Sequence, residues 1–167
     1  MALNFAVSAQ TPDPADRLRE SYAKLAHVAP ELNAVSDELG KSIEKVEAVL
    51  RKLGLGVVTW FTFDTSSDQY FNYTKKLIGY RKSAGKWRIM INLETGDDQS
   101  GQIGSDDYWP FNEAPRDLRV EAVAAIPDLL EKLHEEALGM IKKTKASREL
   151  ADKMVAALEE VASDKKK

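Results

Sequence analysis

The sequence predicts an α+β fold: a three-stranded antiparallel β-meander flanked by long amphipathic N- and C-terminal helices packed antiparallel. Three observations carry this. Counting on by four and three residues from Leu18 reaches Tyr22, Leu25, Ala29, Leu32, Ser36, Leu39, Ile43, Val46, Leu50 and Leu53. That is a seam of about five heptads with only Ser36 polar, and only a helix puts those positions on one side. After Gly56 the period changes, and residues 57–63 (VVTWFTF) are β-branched and aromatic throughout, as a central strand wants. From Arg116 the helical period returns, with Leu118, Ala122, Ile126, Leu129, Leu133, Ala137, Met140, Ile141, Ala151, Met154, Leu158 and Val161 on one stripe.

The elements follow in order. Residues 1–12 are expected as a loose tail or as a fourth edge strand through Leu3, Phe5 and Val7; they lack the basic flank and the length of a secretory signal. Asp13-Pro14 reads as a helix start, because proline's missing N–H costs nothing in a first turn. The helical arm then covers 13–53. Pro30 removes a backbone hydrogen bond and crowds the preceding turn, so a kink or a tight break is expected there. Gly54 offers a left-handed cap.

The meander is expected over 56–94. Residues 64–68 (DTSSD) are turn chemistry, and a second strand follows over about 70–82. Ala84-Gly85 serves as a two-residue turn. That fixes the register: Lys82 opposite Trp87, Arg81 opposite Arg88, Tyr80 opposite Ile89, Ile78 opposite Ile91. One face is then apolar, and the other carries Lys75, Arg81 and Arg88.

Residues 95–112 read as an acidic loop closed by an aromatic plug, Tyr108-Trp109-Pro110-Phe111. The final helical region covers 115–162, with a kink or break expected at Pro127 as at Pro30. The helical stripes are long, about 50 Å or more at 1.5 Å per residue. Pairing them antiparallel within the chain is the simplest way to bury both, and pairing between two copies is the alternative.

Composition narrows the function classes. A chain of 167 residues with 43% hydrophobic side chains suffices for one domain with a packed core. It has no cysteine, which excludes disulfides, thiolate nucleophiles and cysteine-held metals and suits a cytoplasmic setting. No apolar run approaches the roughly 20 residues of a membrane span. His27 and His134 stand apart, in no metal-ligand spacing, and no phosphate-binding glycine loop or nucleophile elbow is present. No metal, cofactor or catalytic residue is therefore assigned.

Charge is unevenly placed. Residues 70–92 hold Lys75, Lys76, Arg81, Lys82, Lys86 and Arg88 and no acid, while 94–107 hold five acids and no base. Two arginines facing each other repel, and an anion would relieve them. The candidate binding residues are accordingly Tyr73, Lys75, Arg81, Lys82, Lys86 and Arg88. The competing expectations are that this face is simply solvated, or that the acidic segment covers it. The functional expectation is a non-enzymatic interaction protein acting through its helical surface, its basic sheet face or both. Its partner would be another protein or a second copy. The alternative is a nucleic-acid-associated protein using the basic hairpin 75–88, and third comes a small carboxylate-dependent enzyme, for which no specific residue speaks.

Overall fold

The computed structural model describes residues 13–164. The tail or edge strand expected over 1–12 lies outside the described residues. The order is helix, antiparallel sheet, helix, an α+β arrangement. The chain divides into two compact units between Lys41 and Ser42, inside the first helix.

Helix α1 spans Pro14–Leu53. Asp13 starts it, its carboxylate accepting the Ala15 N–H at 3.2 Å. The helix runs unbroken through Pro30, so of the kink and the break expected there the break does not occur. A proline forfeits one backbone hydrogen bond, and the intact turns on either side carry the helix past it. In the first unit the seam is open from Leu18 to Leu32: Leu18, Tyr22, Leu25 and Leu32 are exposed, Tyr22 at 72%, and so are Val28 and Val35 beside it. Ser36, the one polar position on the seam, is buried.

The second unit holds the last turns of α1 and everything after them. Its sheet has four strands in sequential order, β1 (Thr59–Ser67), β2 (Asn72–Ser83), β3 (Lys86–Asp97) and β4 (Gln102–Pro110). The hairpin register is the one the two-residue turn predicts, Arg81 opposite Arg88 and Ile78 opposite Ile91. Ala84 and Gly85 both have positive φ, as a tight turn between right-twisted strands requires.

The fourth strand comes from the segment expected as an acidic loop. Residues 102–108 are all exposed, so no burial demand writes an alternating pattern there. Backbone pairing with β3 makes the strand instead, from Asp97 opposite Gln102 to Met90 opposite Pro110. The turn before it is an Asp97 motif: its carboxylate accepts the Gln99 N–H at 2.7 Å. The aromatic plug does anchor the chain, with Phe111 buried in a short 3₁₀ turn, Phe111–Glu113.

Helix α2 (Arg116–Val123) packs on β2 and β3, and α3 (Ile126–Asp164) on β1 and β2. A break does occur here. Pro127 sits in the first turn of α3, the one helical place where its missing N–H is free. The core is Ile78, Tyr80, Ile89 and Ile91 from the sheet, closed by Leu118, Ala122, Leu129 and Leu133 from these helices and by Ile43 and Leu50 from α1. Beyond Ala137 the α3 stripe is exposed at Met140, Ile141, Met154, Leu158 and Val161, and Leu138, Leu150 and Val155 beside it are exposed too.

Candidate interaction surfaces

The sheet face away from the core carries the predicted cations. Pairing places Arg81 beside Arg88, Gly79 beside Met90, and Lys75 beside Glu94. The middle of this face is not solvated as alternation alone suggests: Met90 and Asn92 are buried. Trp60 of β1 lies against Gly79, where any Cβ would overlap its ring, and meets Tyr108 of β4 edge-on at 5.5 Å. Two edge strands thus roof the centre of the sheet with aromatic rings. Asn92 beneath them donates to Asp106 (2.6 Å) and to the Asp107 carbonyl (3.1 Å).

Acids and rings hold most of the cations. Lys75 pairs with Glu94 at 3.3 Å and lies over the Tyr73 ring. Tyr73 donates its hydroxyl to the same carboxylate at 2.7 Å, which raises its pKa. The guanidinium of Arg81 lies over Tyr108, 5.7 Å from the ring centre, and the Tyr108 hydroxyl donates to Asp106. Arg88 turns toward Glu113 at 3.6 Å. Lys76, on the helix side, bridges Glu121 (2.6 Å) and Asp64 (3.1 Å), and those bonds, Glu121's first, raise its pKa. Lys82 and Lys86 stay exposed near the hairpin turn. The structure therefore gathers Tyr73 and Lys75 at one end of the face and Arg81 and Arg88 at the other, each beside an acid or a ring. Glu94 as the partner of Lys75 was legible: the hairpin register, carried six residues from the Arg81–Arg88 pair, sets them opposite.

A polar cleft of about 300 Å³ opens at the hairpin end, among Glu44, Glu47, Arg51, Lys86, Arg88 and Glu113. Glu47 organises it. The β3–β4 register stops at Met90, so the Ile89 N–H has no β4 partner; it donates to Glu47 Oε1 at 2.8 Å. Arg51, one turn on, bonds the other oxygen at 3.2 Å and the Trp87 carbonyl at 3.3 Å. The sequence signal for this pair is only its i, i+4 spacing, common on any helix. Three acids face three cations here, so the cleft has little net charge with which to draw an ion. Among the described residues no group of three His, Asp or Glu side chains is placed to hold a metal.

Most of the exposed large apolar side chains among the described residues lie on the helices. At the base of the α3 stripe a groove of about 340 Å³ is lined by Leu55, Val57, Ala137, Met140, Ile141 and Thr144, with Lys145 and Arg148 beside it. No described helix is long and apolar enough to cross a membrane. No family model, curated protein or solved structure matches the chain.

Proposed function

We propose that this protein is an interaction module whose working surface is its helical stripes rather than its sheet face. One observation carries the reading. Large apolar side chains are half or more exposed from Leu18 to Val35 of α1, and those of α3 are comparably open over 138–141 and 150–161. Contiguous exposed apolar surface of that length marks a docking site on a soluble protein. Scattered surface leucines would need no explanation, but a phased stripe does. The sheet face supports a binding role less well, because Glu94, Glu113 and the Tyr108 ring already engage Lys75, Arg88 and Arg81.

The absence of cysteine makes the test clean. Leu25→Cys and Leu158→Cys each introduce a single thiol. In dilute protein both should react with a maleimide at least tenfold faster than the core control Ile78→Cys, and protein engagement should slow them. A stripe thiol as slow as the control in the dilute monomer would mean the stripe is covered within the chain, and the reading fails. A parallel oligonucleotide titration at low salt separates the nucleic-acid alternative, which requires salt-sensitive binding lost in the Arg81→Glu/Arg88→Glu double variant.

A further inference from the structure

The two stripes match each other. The stretch 18–36 of α1 and the stretch 140–158 of α3 are equally long, about 27 Å each. Set antiparallel with Leu18 opposite Leu158, they bring Tyr22 opposite Met154, Leu25 opposite Ala151, and Leu32 opposite Thr144. In four of the six layers so formed, Tyr22–Met154, Leu25–Ala151, Leu32–Thr144 and Ser36–Met140, a large residue faces a smaller or a flexible one, which suits close helix packing.

Charge selects the same direction. Residues 25–40 of α1 carry Glu31, Asp37 and Glu38 and no Lys or Arg, whereas its start is balanced, with Arg19 and Lys24 paired to Asp16 and Glu20 along the helix. On α3 the order is basic, then mostly acidic: Lys142, Lys143, Lys145 and Arg148 with no acid over 137–148, then Glu149, Asp152, Glu159 and Glu160 around the single Lys153. Antiparallel pairing puts Glu31 and Asp37 near Lys143 and Lys145. Parallel pairing of the same stretches would set Asp37 and Glu38 against Glu159 and Glu160. Heptad helices use such flanking charges to choose partner and orientation.

Each stripe is exposed within its own unit, and a second copy supplies the complement of each. We infer that the partner is a second copy of this chain, with α1 of each protomer packed antiparallel on α3 of the other. This rests on the reading of the stripes as docking surfaces. A two-fold axis makes the arrangement closed: each protomer gives one α1 stripe and receives one, so both stripes are used and none is left to propagate a filament. The groove at Met140 and Ile141 lies at the base of the α3 stripe, where the far end of the partner's α1 stretch would arrive.

The test uses two charge-reversed full-length chains. One carries Glu31→Lys/Asp37→Lys, the other Lys143→Glu/Lys145→Glu. All four positions are exposed, so folding, checked by circular dichroism, should be kept. Sedimentation equilibrium should give a dimer for the unaltered chain and at least tenfold weaker association for each variant alone. Mixing the two variants should restore the dimer, because each α1 then meets an α3 of opposite sign. A dimer indifferent to both reversals, or one that mixing fails to restore, overturns the inference. So does a chain that stays monomeric to about 100 micromolar, roughly a hundred times a micromolar dissociation constant. In that case fast stripe-thiol labelling leaves docking of a different protein standing, and slow labelling defeats both readings.

Discussion

The sheet core and the helical stripes are built from the same side chains at equally regular spacing, yet they end in opposite environments. Ile78, Ile89 and Ile91 are fully buried, while Leu18, Leu25 and Leu158 are largely exposed. The difference lies in how their partners are supplied. Strands joined by a two-residue turn must pair with each other, and helices α2 and α3 follow within a short stretch of chain to cover them. A heptad stripe specifies its own shape and leaves its partner open. Periodicity therefore reports that a face will be buried, without reporting by what.

Substitutions break or sharpen that contrast. The largest effect is expected in the core: Ile91→Ala should destabilise the chain by about 2–5 kcal/mol through lost burial and a residual cavity, read as a drop in denaturation midpoint. Next comes Glu47→Ala. It leaves the buried Ile89 N–H without an acceptor and should cost about 1–3 kcal/mol. Glu47→Gln, which keeps an acceptor oxygen, should recover much of it.

A smaller effect, about 1 kcal/mol or less, is expected for Lys76→Met, which removes a partly shielded bridge to Glu121 and Asp64. Its pH dependence has a definite sign. Folding raises the Lys76 pKa above 10.5, so the contribution is whole below that pH and disappears as pH rises through the folded-state value. Alkaline melts of the unaltered chain and of Lys76→Met should therefore converge. The smallest effect belongs to the stripe: Leu25→Ala should change the stability of the dilute chain by no more than about 0.5 kcal/mol. A core-sized loss there would erase the contrast between the two regions.

Much of this was legible in the sequence. The helix ends, the hairpin register and the apolar sheet face follow from Pro14, Gly54, Ala84-Gly85 and the alternation of Trp87, Ile89 and Ile91. Other features were not, for physical reasons. Strand β4 is held by its backbone ladder, and its exposed Asp and Ser side chains write no pattern. The roof over Met90 depends on Trp60 reaching across Gly79, a contact between strands that alternation does not encode. Pro30 reads as an interruption because the rule concerns one turn, and the neighbouring turns outvote it. The cation cluster was visible as charge, and Glu94 as the register partner of Lys75; the Tyr108 ring became visible only once β4 lay beside β3.

That acidic β4 has a consequence for solubility. It is an outer strand of the sheet, the kind of border onto which a stray strand of another molecule can zip. Asp106 and Asp107 stand near its end and Pro110 closes it. Two such borders brought side by side would confront carboxylate with carboxylate, and the proline offers no N–H to join them. The chain thus discourages one route of sticking to itself at the sheet.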